Sequence, residues 1–215
     1  MKTEWLIKDN HDDLLIFFAG WGMDAEPFRN IGTGRFDVII CYDYHDINLP
    51  SDLTEACPHY ESVWLLAWSF GVCVAAHSCS DLKTDKAIAL NGTLHTAHDD
   101  YGIPLDLFDK TIEALDEENL MKFYRRMCRN LYKPFLSHQP KRDLRDLDEE
   151  LRKLRAMPPA AKNIFDHAVV TQTDSIIPQD NQLEFWKTQS VSVTQIEGNH
   201  FPFYLYNNWE DILNA

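Results

Sequence analysis

The stretch Val63-Trp64-Leu65-Leu66-Ala67-Trp68-Ser69-Phe70-Gly71-Val72-Cys73-Val74-Ala75-Ala76-His77 decides the reading of this chain. The apolar run through Ala67 has no polar alternation, which predicts a strand buried on both faces, as in a parallel sheet. Residues 71–77 are small and apolar and suit a short buried helix. Between the two sits Ser69. A serine on a strand-to-helix turn, flanked by small residues as in Gly-x-Ser-x-Gly, presents its Oγ as a nucleophile, because backbone crowding there excludes larger side chains. Ala67 replaces the first glycine, a departure of one methyl. Taken alone, Ser69 also reads as a cap of the helix that begins near Phe70.

Further apolar runs lie on either side. Residues 14–18 (LLIFF) end at Ala19-Gly20-Trp21-Gly22, residues 38–41 (VIIC) at Tyr42-Asp43-Tyr44, and residues 87–90 (AIAL) at Asn91-Gly92. Strand texture returns in residues 167–172, which run into Thr173-Asp174, and in residues 190–196, which lead to Gly198-Asn199-His200. Between these blocks the apolar residues fall at helical spacing: Leu107, Phe108, Ile112, Leu115, Leu120, Phe123, Met127 and Leu131, then Leu144, Leu147, Leu151 and Leu154. The expected architecture is α/β, an α/β-hydrolase fold with a mostly parallel central sheet. Residues 1–92 and 161–215 form the core, and 93–160 form a helical lid inserted before the strand that carries Asp174.

Ser69 needs a base, and the base needs an orienting acid. In α/β-hydrolases they follow in the order serine, acid, histidine. Asp174 and His200 follow in that order, each at the carboxyl end of an expected strand, where sites on open α/β sheets collect. Each has a simpler reading: Asp174 as a turn residue, His200 as one of nine histidines. The conjunction favours a triad. The loop around Gly20 follows an early strand, where this fold supplies one oxyanion amide. The Trp21 and Phe70 backbone N–H groups are therefore the expected donors.

These residues, with Leu90-Asn91-Gly92-Thr93, Tyr101-Gly102-Ile103-Pro104, Asp174-x-x-x-Pro178 and Gly198-Asn199-His200-Phe201-Pro202, together resemble the BioG-type pimeloyl-[acyl-carrier protein] methyl ester esterases. The resemblance spans nearly the whole chain and is weakest over 105–160. It implies a serine carboxylesterase of biotin synthesis that releases methanol from the far end of a pimeloyl chain. The partner it implies is acyl carrier protein, bearing that chain on phosphopantetheine. Ser69 would be the nucleophile, His200 the base and Asp174 the acid, with no metal and no cofactor. Two alternatives stay open: an esterase or thioesterase for another acyl substrate, and a non-catalytic hydrolase-like binding protein.

Composition sets the outer limits. The 45% hydrophobic and 25% charged residues are ordinary for a globular chain. A net charge of −14 argues against nucleic-acid binding. No apolar run is long enough for a membrane span, the N-terminus has no signal-peptide pattern, and the five scattered cysteines suggest reduced thiols, so a cytoplasmic setting is expected. The charge is unevenly spread: residues 122–155 carry 11 basic and five acidic side chains, a local +6 against −20 elsewhere. An acidic carrier protein requires such a basic face. Arg125, Arg126, Arg129, Arg142 and Arg145 are the expected docking residues, although a solvated helix surface explains the same pattern. Trp21, Leu94, Phe123, Met127 and Phe201 are the expected walls of the acyl pocket.

Overall fold

The computed structural model describes residues 1–215. Seven strands form one sheet: β1 (Lys2–Ile7), β2 (Asp13–Phe18), β3 (Phe36–Tyr42), β4 (Ser62–Trp68), β5 (Lys86–Leu90), β6 (His167–Thr171) and β7 (Ser192–Ile196), in the order β1-β3-β2-β4-β5-β6-β7. All pairings are parallel except β1 with β3. Strand β1 is absent from the sequence reading. It is an edge strand whose residues are half-buried or exposed, so it has no apolar run to announce it.

The central strands are apolar throughout because both their faces are covered. Along β2, Leu14, Ile16 and Phe18 enter one core cluster, and Leu15 and Phe17 enter the other. Strand β4 divides in the same way, Leu65 and Ala67 against Leu66 and Trp68. Helices α1 (Ser51–Ala56) and α2 (Phe70–Ser78) contribute to the first cluster. The C-terminal helix α8 (Trp209–Leu213) packs into the second through Trp209, Ile212 and Leu213.

Between β5 and β6 the chain runs through α3 (Leu105–Glu113), α4 (Glu117–Cys128), α5 (Tyr132–Leu136) and α6 (Leu144–Ala156); α7 (Gln179–Gln189) then joins β6 to β7. The periodicity that runs unbroken through residues 105–129 is in fact two helices. Asp116 caps the second by accepting the Asn119 N–H, and Glu117 and Glu118 suit its first turn. These insertion helices insert into both clusters: Leu147, Leu151 and Leu154 of α6 into the first, Tyr124, Met127 and Cys128 of α4 into the second. No helix is long and apolar enough to cross a membrane.

Candidate active site

The carboxyl ends of the strands converge. Ser69 follows β4 with φ 58° and ψ −129°, a sparsely populated conformation costing about 1–3 kcal/mol unless its surroundings impose it. They do. The Ser69 N–H donates to the Leu90 carbonyl at 3.0 Å. A Cβ on Gly71 would lie 2.5 Å from the Phe18 and Ala19 carbonyl oxygens, so helix α2 can approach the end of β2 this closely only through a glycine. The loop after β2 abuts the nucleophile: a Cβ on Gly20 would lie 3.1 Å from Ser69 Cβ. In that loop the Trp21 N–H donates to no protein acceptor, and Phe70 opens α2, where the first N–H groups have no partner within the helix. Both are therefore available to an oxyanion.

Ser69 Oγ lies 2.9 Å from His200 Nε2, and His200 Nδ1 lies 2.8 Å from Asp174 Oδ2. An ionised carboxylate only accepts, so it draws the Nδ1 proton and leaves Nε2 to accept from the serine. The imidazole and the carboxylate are 1% and 0% exposed. The carboxylate is fully engaged. Oδ1 accepts from the Ile176 and Ile177 N–H groups, and Oδ2 also accepts from Gln182 Nε2 at 2.9 Å. The His200 carbonyl accepts from Trp68 Nε1 at 2.7 Å and Asn91 Nδ2 at 3.1 Å, which fixes the backbone that carries the imidazole.

Sequence reasoning gave no role to Gln182, Asn91 or Trp68. Asn91 carried a findable signal, because it directly follows β5 at the same edge of the sheet as the triad. Its Oδ1 accepts from Thr171 N and Oγ1, so it ties β6 to the histidine loop. Gln182, buried on α7, has no signal short of the folded structure.

The insertion helices hold both sides of this site. At the C-terminal end of α4 the Arg126, Met127 and Cys128 carbonyls accept from Ser175 Oγ, Phe201 N and Asn199 Nδ2, residues adjacent to Asp174 and His200. Carbonyls in the last turn of a helix lack intrahelical donors, and here the Asp174 and His200 loops supply them. On the other side, Trp21 Nε1 donates to the Leu147 carbonyl of α6 at 2.9 Å. Tyr44 Oη donates to the Ala19 carbonyl at 2.6 Å, while Tyr44 N donates to Glu150 Oε1 at 2.7 Å.

A narrow slot of about 30 Å³ ends on Ser69 and His200, walled by Trp21, Phe70, Phe108, Phe123, Arg126 and Met127. Of the five expected wall residues, the structure brings Trp21, Phe123 and Met127 to it. Leu94 and Phe201 are corrected: neither lines the slot. Leu94 is 3% exposed in the first core cluster, and Phe201 is fully buried among Phe28, Phe135 and Phe203. Apolar character buries a residue without choosing the core or the slot, and both of these face the core.

The expected docking arginines also separate. Arg142 is corrected: its side chain is 6% exposed and inserted between Glu150, Asp146 and Asp43. Burial opposes its charge, but these carboxylates outweigh burial and hold the guanidinium above its ordinary value. Burial pushes the Glu150 carboxyl up. It does the same to Asp43, but Lys2, His45 and Arg142 outweigh it and bring that carboxyl to about 2. Arg145 is exposed and pairs with Glu149. Arg125, Arg126 and Arg129 are exposed and meet no carboxylate; Arg125 stacks over Tyr132 at 5.2 Å. The trio Asp43, His45 and Asp146 has metal-ligand spacing, but Lys2 and Arg142 already occupy its carboxylates.

The family model described as pimeloyl-ACP methyl esterase BioG matches residues 1–212. A malonyl-[acyl-carrier protein] O-methyltransferase of Bacteroides fragilis is 36% identical over 197 residues, covering 88% of this chain and 39% of the relative. This chain thus spans about two-fifths of that protein's length. The crystal structure of BioG from Haemophilus influenzae superposes with a TM-score of 0.87 at 32% identity, covering 98% of this chain and 99% of that one. An esterase from Exiguobacterium antarcticum shares the fold, with a TM-score of 0.68 at 14% identity over 99% of this chain and 91% of its own.

Proposed function

We propose, from the premise that this chain belongs to the pimeloyl-ACP methyl esterase BioG family, that Ser69, His200 and Asp174 hydrolyse the methyl ester of a pimeloyl chain carried on acyl carrier protein. The chain is a carboxylic ester hydrolase, and the step serves biotin synthesis by freeing the distal carboxylate. The observation that carries the residue assignment is the continuous hydrogen-bonded series Ser69–His200–Asp174, buried at the end of an apolar slot.

His200 Nε2 takes the Ser69 proton as Oγ attacks the ester carbonyl. The oxyanion lies against the Trp21 and Phe70 N–H groups, aimed before the reaction begins. The tetrahedral adduct collapses, His200 protonates the departing methoxide, and methanol leaves an acyl-serine. Water then gives a proton to His200 and attacks the acyl carbonyl. Collapse of the second adduct returns the proton to Ser69 and releases the carboxylic acid. Asp174 keeps the imidazole in the required tautomer and stabilises its cation. Gln182 and the Ile176 and Ile177 amides hold the Asp174 carboxylate aimed at His200.

Residues 93–160 serve as the cap over the slot. The outer face of α4, with Arg125, Arg126 and Arg129, meets the acidic carrier; charge complementarity on an otherwise acidic chain supports this reading. The test is turnover of the purified protein on methyl-pimeloyl carrier protein. Ser69→Ala should lose about 10⁴-fold or more in kcat, with a thermal unfolding midpoint close to that of the wild type. Wild-type turnover in that variant would overturn the assignment.

A further inference from the structure

The catalytic slot, at about 30 Å³, has room for about two water-sized groups. A methoxycarbonyl end fits; the rest of the acyl chain and the arm that carries it do not. Trp21, Thr111, Phe123 and Arg126 line this slot and also a second cleft of about 310 Å³, between the C-terminal end of α3 and the first turns of α4. The two are therefore neighbours across these four side chains.

The lining of this second cleft is unusual for the molecule. It contains Lys110, Lys122 and Arg126 and no carboxylate. The other three large clefts each contain at least one: Asp12 and Asp37 in one, Asp166 in another, Asp85 and Asp166 in the third. On a chain of net charge −14, a cleft with three cations and no acid in its lining, beside the slot that ends on Ser69 and His200, selects for an anionic occupant. Arg126 meets no carboxylate of the protein, so its charge is free for a ligand. The only carboxylates that Lys110 and Lys122 meet are Asp106 and Glu118, in exposed pairs one helical turn apart, and Lys122 also donates to Asn119 Oδ1 at 3.3 Å. Such solvent-exposed pairs are weak, and a phosphate dianion displaces them readily.

The geometry points to this α3–α4 cleft as the seat of a phosphopantetheine arm, with Arg126 at the slot end, Thr111 and Asn119 as polar wall for the arm's amides, and Lys110 and Lys122 at the phosphate. This inference rests on the esterase reading above and goes beyond it, because it assigns the arm to a cleft that shares only Arg126 with the carrier's docking face. The mixed wall fits a ligand that is amide-rich along its length and charged at one end.

Three methyl esters test it: methyl-pimeloyl phosphopantetheine, the same thioester of pantetheine without its phosphate, and dimethyl pimelate, all free of carrier protein. Wild-type kcat/KM should favour the phosphorylated arm about tenfold over the unphosphorylated one, equivalent to about 1.4 kcal/mol. The double variant Lys110→Glu, Lys122→Glu should reduce that preference to within twofold. Ala114→Trp, which fills the cleft away from the slot, should lower the ratio of kcat/KM on the phosphopantetheine ester to that on dimethyl pimelate about tenfold. Unfolding midpoints within about 2 °C of wild type show that each variant is folded. No phosphate preference in the wild type, or a preference that survives both lysine reversals, overturns the assignment. Failure of the wild type to hydrolyse all three esters would instead sink the esterase reading.

Discussion

Arg142, Arg145, Arg152 and Arg155, in and just before α6, all meet carboxylates, whereas Arg125, Arg126 and Arg129, at the C-terminal end of α4, meet none. Both groups belong to the same basic window and look alike in sequence. The difference lies in what faces each helix. Helix α6 packs beside the carboxyl end of β3, where Asp43 is buried, and it carries its own Asp146, Asp148, Glu149 and Glu150. Helix α4 has acids only in its first turn, Glu117 and Glu118. One region pairs its cations within the fold, and Arg142 there steadies Tyr44 through Glu150 against the Ala19 carbonyl; the other leaves its cations without a protein carboxylate. A charge count cannot separate the two, because pairing depends on which carboxylates lie within about 4 Å.

The largest expected effect is at the buried end of this contrast. Arg142→Ala strands Glu150, which is fully buried, and should cost about 3–5 kcal/mol, lowering the unfolding midpoint by roughly 10 °C for a chain of this length. A shift under about 2 °C would break the comparison. Next is acid sensitivity. Asp43 titrates at about 2 in the folded chain, below the ordinary aspartate value of about 4. A depressed carboxyl stabilises above its unfolded pKa and loses that contribution as pH falls through the folded one. The stability gap between wild type and Asp43→Asn should therefore shrink by roughly 2 kcal/mol between pH 4 and pH 2, as read by denaturant unfolding at each pH. A constant gap would show that Asp43 gains nothing from its partners.

The exposed end predicts the reverse pattern. Arg125→Glu with Arg129→Glu should raise KM for the carrier-linked ester about tenfold, while the unfolding midpoint moves by less than about 2 °C. An equal rise for dimethyl pimelate would argue against docking on α4. The smallest effect belongs to Arg145→Ala. It removes one exposed pair worth less than about 1 kcal/mol, so stability should change little and carrier KM should stay within twofold. A large KM increase there would move the docking face onto α6.

The legible parts of the molecule are those with a local signature. The central strands announce themselves as unbroken apolar runs because both faces of the sheet are covered, and Ser69 announces itself by the small residues that the turn demands. Strand β1 lacks such a signature. It pairs on one side only, and its half-buried residues show no continuous run. The break between α3 and α4 is marked only by Asp116, whose capping role depends on the helix starting there. Leu94 and Phe201 were misplaced for a related reason: apolar character says that a residue is covered, and not by what.

The sequence by itself determined the α/β class and singled out Ser69, Asp174 and His200, which the fold brings into one hydrogen-bonded series, because alternation, turn chemistry and chain order are properties of neighbours. Only the tertiary structure decided which residues support them. Gln182 reaches Asp174, Asn91 and Trp68 hold the His200 carbonyl, and the last carbonyls of α4 take donors from the Asp174 and His200 loops. It also decided which arginines are spent within the fold. These contacts join segments far apart in the chain, often more than a hundred residues. No periodicity links such positions, since their distances are set by how the sheet and its helices pack.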